Sequence, residues 1–337
     1  MTDVPEPTTL SCDIAVVGGG AAGLGAAVVL AQAGRNVLVL ESGETRNRFH
    51  AHMRGFLTRD GLPPGELVEL GRRELERYGG EMMRARVTRA TAVEPDTGEP
   101  DAAGSDRLTG PTRFALELDD GMSVRARRLL LATGLVDELP DVDGIREHWG
   151  GAVFHCPYCR GCEFTDETVA VLASGPDSVA EAHLLLQWAE RVVLLTHETV
   201  SPDPTQLRGL AARGIDVVDG AVVAVRGEPE DGRLDAVVLA DGREVLCQAL
   251  LVAPATHPRR ALLDDLGVDV LDEPDDDCVL VPTDSGRRTN VPGVWVAGNV
   301  RDCNVQVTEA AGDGLRAAIA INADLTKEDV AAVAGSF

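Results

Sequence analysis

The segment Asp13–Glu41, DIAVVGGGAAGLGAAVVLAQAGRNVLVLE, constrains the fold more than any other. An apolar run leads into Gly18-x-Gly20-x-x-Gly23, then an alanine-rich stretch, then a second apolar run closed by Glu41. That order predicts strand, tight turn, helix and strand. The first glycine allows the turn, the second lets backbone approach a pyrophosphate, and the third lets the helix pack on the strand. The helix N-terminus then faces the phosphates, and Glu41 can accept a hydrogen bond from a ribose. The pattern predicts an adenine dinucleotide. Residues 14–34 carry almost no charge and are long enough to raise a membrane span. Their glycines and small side chains fit the strand–turn–helix reading instead.

The chain has 337 residues, 44% of them hydrophobic, enough for two domains with cores of their own. Aromatics are only 3%, so Leu, Val and Ala must fill those cores. The N-terminus is acidic with no apolar centre, unlike a secretory signal, and the expected location is cytoplasmic. A net charge of −24 argues against nucleic acid as a partner and disfavours acidic proteins. Seven cysteines without a secretory signal do not make a disulfide scaffold. Cys12, Cys247, Cys278 and Cys303 are expected to be ordinary core or loop residues.

Downstream, Thr45–Gly61 is a loop rich in Arg and His, expected near the dinucleotide because it directly follows Glu41. Two stretches with strand periodicity flank a Gly-, Pro- and Asp-rich excursion at residues 95–111, and Ala132-Thr133-Gly134 ends the second. At Thr168 a new strand–turn–helix–strand begins. The chain closes with a strand at Val294–Ala297, a turn and a long alanine-rich helix. Two βαβ units in this order predict an α/β chain of two Rossmann-like nucleotide-binding domains, the second inserted into the first.

The order of Gly18-x-Gly20-x-x-Gly23, Ala132-Thr133-Gly134, C-x-x-C and GVWVAGN (residues 293–299) resembles the low-molecular-weight thioredoxin reductase family along nearly the whole chain. CPYC followed by RGCE is most similar to the thioredoxin reductase-like dithiol oxidases, which close disulfides in natural products such as gliotoxin, holomycin and romidepsin. The resemblance implies three-layer ββα domains. An FAD-binding domain would span 1–136 and 252–337, and an NAD(P)-like domain carrying the cysteine pair would span 137–251. It also implies a homodimer. FAD would be held by Gly18, Gly20, Ala22, Gly23, Glu41 and Ser42, with Arg46, Asn47, His52 and Val87 beside them. Ala132, Thr133 and Gly134 would follow, then Gly298, Asn299, Gln306 and Val307. Asn299 stands where the family has an Asp on the flavin ribityl chain. The N–H groups of Gln306 and Val307 would meet the flavin pyrimidine edge, where the helix dipole favours reduced flavin.

Cys156, Cys159 and Cys162 are spaced by three. An iron–sulfur cluster needs a fourth ligand, and none follows at short spacing; zinc needs a second ligand pair, and no second C-x-x-C or paired His appears. Structural thiols are the plain alternative. A redox disulfide Cys156–Cys159 is the preferred reading, with Pro157 stiffening the turn. By family analogy Cys156 exchanges with substrate and Cys159 faces the flavin. Cys162 is expected to be a packed thiol. Arg160 follows the pair where the family has Asp or His. It cannot accept a proton but can favour a thiolate. The acid–base group must then come from His155, Glu163, His50 or His52.

The second lobe reads ASGPDS where the family has G-x-G-x-x-A, placing Ala173, Gly175 and Ser178 at the pattern positions. Residues 196–206 contain no Arg or Lys, and Glu198 stands where an Arg would bind a 2′-phosphate. NADPH is therefore disfavoured, NADH remains open, and a lobe kept as scaffold is the preferred reading. Three enzyme classes follow. The first is an oxidase of a small-molecule dithiol using O2 and yielding H2O2. The second is an NAD(P)H-dependent thioredoxin or disulfide reductase, and the third a ferredoxin-linked one. A non-catalytic flavin-binding protein is the plain alternative.

Overall fold

The computed structural model describes residues 9–96, 110–272 and 279–334. Most of the 95–111 excursion and Cys278 lie outside the described residues. The chain divides into two compact units. One comprises residues 1–48, 65–136 and 256–337; the other comprises residues 49–64 and 137–255. Residues 49–64, expected with the first domain, group with the second unit. The chain leaves the first unit along Leu135–Glu138 and returns along Ala255–Pro258, strands that pair with each other.

In the first unit, β1 (Thr9–Val17) runs through the glycine turn into α1 (Ala21–Gln32), and β2 (Val37–Glu41) follows. After α2 (Pro64–Arg77) come β3 (Glu81–Arg84), β4 (Val87–Asp96), β5 (Thr112–Leu118) and β6 (Ser123–Leu131). The sheet order is β3-β2-β1-β6-β5-β4, with Val294–Val296 also pairing β6. β3, β2, β1, β6 and Val294–Val296 pair in parallel, while β4, β5 and β6 form an antiparallel meander.

Strand periodicity assigns the two faces. Ile14, Val16, Val39 and Leu130 join α1 and the C-terminal helix Val307–Ala334 in one core. Ala15, Val17, Leu40, Leu129 and Leu131 join Phe114 and Leu116 in the other. Central strands buried on both faces read as continuous apolar runs, which is why β1 and β2 lack polar alternation. α1 and the C-terminal helix cross closely on small residues. A Cβ at Gly314 would lie 2.0 Å from the Ala22 carbonyl oxygen, and one at Gly25 would lie 2.8 Å from that of Ala311.

Charge ties the far end of the C-terminal helix to the sheet. Arg127, 0% exposed, donates to Asp13 at 2.8 Å, Glu328 at 2.9 Å and Asp329 at 2.6 Å. Arg128 bonds Asp324 and Glu328, and Arg35 bonds Asp329.

The second unit has its own parallel sheet, in the order Asp216–Val218, Arg191–Leu195, Thr168–Leu172, Ala249–Val252 and Val153–Phe154. An antiparallel meander, Val222–Arg226, Ala236–Leu239 and Glu244–Leu246, packs on one face. The helix Ser178–Leu185 covers the other. Among the described residues, no helix is long and apolar enough to cross a membrane.

Removing Arg127 strands the buried Asp13 carboxylate. Arg127→Leu is expected to lower unfolding stability by about 3–5 kcal/mol in urea titration. The acid side has its own signature. Burial raises the Glu328 pKa, but Arg128, Arg127 and Arg113 outweigh it and hold the carboxyl at about 2. Its contribution is complete above the unfolded carboxyl value and is lost as pH falls through about 2.

Candidate functional site

The glycine turn of the first unit closes as its spacing predicts. Gly18 has φ +105°, and a Cβ there would sit 2.3 Å from the Ala132 carbonyl oxygen; at Gly23 it would sit 1.8 Å from that of Gly18. Gly20 differs, because its nearest neighbour is Thr45 Cγ2 at 4.0 Å. The side of the turn that Gly20 leaves bare is open, as close approach by a pyrophosphate requires. Glu41 is buried and accepts hydrogen bonds from Gly19 N and, at 2.6 Å, from Gly43 N. Thr133 Oγ1 is buried beside this turn with no hydrogen-bond partner, a polar group that a bound cofactor would satisfy. The open cradle and the orphaned hydroxyl both fit FAD.

The second wall of the cradle comes from the chain's end. Gly298 has φ +76°, and a Cβ there would crowd Ala22 Cβ at 2.8 Å. Gly134, at φ +68°, has open space around it. Asn299 Nδ2 donates to the carbonyls of Asp302, Cys303 and Val305 at 3.0–3.2 Å. An Asp carboxylate has no proton to give those three oxygens. The amide thus closes the loop that leads to Gln306, whose carbonyl accepts from Ala310 N, and into the C-terminal helix at Val307. Arg46 Nη1 also donates to Cys303 O at 3.1 Å. Cys303 itself is disulfide-bonded, contrary to the expectation of an ordinary loop thiol. Ser42, Asn47 and Val87 are half-buried in the same unit, Val87 against the meander core.

One residue here escaped the sequence reading. Asp313 accepts from Gly298 N at 2.9 Å and Arg301 Nε at 3.1 Å, and pairs with Arg287. Burial opposes its charge, but these donors hold its carboxyl below the ordinary range. It fixes the Gly298–Asn299 turn. The available signal was a lone carboxylate between Gly312 and Gly314 in a helix of small residues.

In the second unit, Cys156 and Cys159 form a disulfide, with Cα atoms 5.2 Å apart. Cys156 is extended (φ −129°, ψ 113°) and Pro157 starts a single turn, Pro157–Arg160, which continues as Gly161–Glu163. Cys156 is 6% exposed, Cys159 is half-buried, and Cys162 is an exposed free thiol rather than a packed one. Burial pushes the Cys247 thiol up to about 12 and that of Cys12 higher still, which makes both inert.

Arg160 is buried and committed. Its Nη1 donates to Gly150 O at 2.9 Å and its Nη2 meets Glu163 at 2.6 Å. Glu163 also pairs with Arg54 at 3.4 Å, so each of its oxygens meets a guanidinium. His155 stacks on Trp149 with ring centroids 5.6 Å apart and lies 6.2 Å from His50. His52, expected at the cofactor, lies in the second unit with Nδ1 3.0 Å from Gly61 O. Among the described residues, no group of three or more His, Cys, Asp or Glu side chains gathers as a metal site.

The dinucleotide turn of this unit is internally closed. Ser178, 2% exposed, uses its Oγ to accept from Ser174 N at 3.1 Å and Gly175 N at 3.3 Å. These are amides that such a turn otherwise offers to phosphate. Glu198 is exposed at φ +57°, just past the strand Arg191–Leu195.

Gly20→Val should fold, because its side chain enters open space, yet lose bound flavin absorbance per mole of protein. Gly23→Val, aimed at the Gly18 carbonyl, should fail to fold. Circular dichroism and flavin content together check both outcomes.

Comparison with known proteins agrees with this geometry. The pyridine nucleotide-disulphide oxidoreductase family model matches residues 12–314. A thioredoxin reductase, sirT, of Leptosphaeria maculans is 28% identical, covering 95% of this chain and 96% of its own length. The crystal structure of HlmI superposes with a TM-score of 0.84 at 40% identity, covering 97% of this chain and 96% of that one. An oxidoreductase from Agrobacterium tumefaciens gives 0.82 at 34% identity, covering 94% and 99%. The chain belongs to the pyridine nucleotide-disulphide oxidoreductase family, and is an FAD-dependent oxidoreductase of thioredoxin reductase type acting on sulfur groups.

Proposed function

We propose that the protein oxidises a small-molecule dithiol, of natural-product type, to an intramolecular disulfide, with O2 as acceptor and H2O2 as product. The observation that carries this reading is the closed turn of the second unit. With Ser174 and Gly175 amides bonded to Ser178 Oγ, and no Arg or Lys in residues 196–206, the usual cradle for a nicotinamide dinucleotide is filled. Electrons then enter through thiols. A net charge of −24 disfavours acidic protein donors such as ferredoxins and thioredoxins, a penalty that a small dithiol escapes.

In this reading the Cys156–Cys159 disulfide is the oxidant of substrate. A substrate thiolate attacks one of its sulfurs, forming a mixed disulfide and releasing the other cysteine as thiolate. The second substrate thiol displaces the enzyme sulfur and leaves in the product disulfide. Two protons and two electrons have then left the dithiol, and both cysteines are reduced. When bound, FAD supplies two-electron transfer from the cysteine pair to O2. Gly18, Gly20 and Gly23 would cradle its pyrophosphate, and Glu41 would meet its ribose. Asn299 and the Gln306–Val307 amides would border its ring system. Exposed Leu315, Ile319, Val330 and Val333 on the C-terminal helix suit the apolar face of a homodimer.

Oxygen uptake is expected to match dithiol consumed one for one and to vanish in the Cys156→Ser/Cys159→Ser double variant. A double variant as fast as the parent would remove the pair from the path. Anaerobic NADPH should leave the flavin oxidised while a dithiol bleaches it. Rapid stoichiometric bleaching by NADPH would favour the reductase reading.

A further inference from the structure

The sequence CPYCRGC contains two overlapping C-x-x-C pairs, Cys156–Cys159 and Cys159–Cys162. Exposure rises along them, from buried Cys156 through half-buried Cys159 to exposed Cys162. The intervening backbone is a tight turn: Arg160 has φ −137° and ψ −13°, and Gly161 has φ −50° and ψ −38°. At the same spacing, Cys156 and Cys159 already bond across the preceding turn with Cα atoms 5.2 Å apart, within the range a disulfide needs. The turn is braced from outside. A Cβ at Gly161 would lie 2.8 Å from the Trp188 ring, and Tyr158 meets Trp188 edge-on at 5.1 Å.

Two guanidiniums stand in the electrostatic surroundings of Cys162. Arg160, 5% exposed, and Arg54 both lie within electrostatic range of it. Both also keep a buried Nε without a hydrogen-bond partner. Burial opposes the Arg54 charge, but Cys162, Glu163 and Asp60 outweigh it and raise its pKa. Glu163 answers part of this positive charge through its ion pairs with Arg160 and Arg54. What remains is a solvent-accessible thiol within electrostatic range of two guanidiniums, in a chain of net charge −24.

We propose that Cys162 is the surface thiol of a three-cysteine relay, exchanging with the redox pair to place a Cys159–Cys162 disulfide at the protein surface. This rests on the reading of Cys156–Cys159 as the redox pair. In the exchange the Cys162 thiolate attacks Cys159 Sγ, the Cys159–Cys162 bond forms, and the Cys156–Cys159 bond breaks. Cys156 departs as a thiolate and takes up the proton that Cys162 gave to solvent. No electrons are gained or lost overall. The disulfide that a thiol in solution meets is then on an exposed sulfur rather than a buried one, and the return exchange passes the reduced state inward.

The test needs no substrate, so it stands apart from the oxidase assignment, which turnover decides. Cys156→Ser holoenzyme is oxidised with diamide, acid-quenched, alkylated with N-ethylmaleimide and peptide-mapped by mass spectrometry. A Cys159–Cys162 cross-link is expected, forming several-fold more slowly when Arg54→Gln is added. Recovery of Cys159 and Cys162 both alkylated, or a rate indifferent to Arg54→Gln, overturns the proposal. In oxidised wild-type protein, brief maleimide treatment should yield some molecules labelled on Cys156. Label confined to Cys162 among the three overturns it equally.

Discussion

A Cβ at Gly23 would sit 1.8 Å from the Gly18 carbonyl oxygen. β1, the turn and α1 can therefore close only if residue 23 has no side chain, and the rest of the first unit follows from that closure. It sets α1 close against the strand, so that Ala22 meets Gly298 and the C-terminal helix passes over α1 at Gly314. The same contacts bring Ala132–Gly134 and Gly298–Asn299, distant in sequence, to the mouth of one cradle. Residues this near in space tolerate only small side chains, which fits the alanine-rich sequences of α1 and the C-terminal helix.

Several of the basic residues of this strongly negative chain pair at structural junctions. Arg127, Arg128 and Arg35 anchor the C-terminal half of the last helix to the sheet, while Arg287 and Arg301 neutralise Asp313 beside the Gly298 turn. Asn299 belongs to this logic. In a loop lined by backbone carbonyls an amide supplies donors where a carboxylate would add repulsion. The departure from the related pattern thus has a local structural reason besides any contact with cofactor.

The two nucleotide-type units have diverged in one respect that bears on function. Both retain strand, turn and helix, but the first leaves its turn open at Gly20 while the second fills its own with Ser178 Oγ. A single hydroxyl, where the pattern has a methyl group, satisfies two amides from within. The second unit also holds a braced turn of three cysteines beside Trp188 and the Arg54–Glu163–Arg160 chain of charges.

The sequence by itself determined the elements and the chemistry. Glycine spacing fixed the dinucleotide turn because only glycine fits its close approaches, and C-x-x-C spacing allowed the Cys156–Cys159 disulfide because three residues span one turn. It also exposed the altered second lobe through Ser178 and Glu198. What only the tertiary structure decided depends on side chains that meet across long separations. Arg160 directs its Nη groups to Gly150 O and Glu163. His155 turns toward Trp149 and His50, and residues 49–64 join the second unit. Asp313 acquires its role only when the last helix returns to Gly298. Cys162, read from its spacing as a packed thiol, is exposed because the turn beyond Cys159 tightens and points it outward. Local pattern encodes which element forms and what it can react with. Which neighbour takes up each charge or sulfur is settled by packing between segments that no short window of sequence contains.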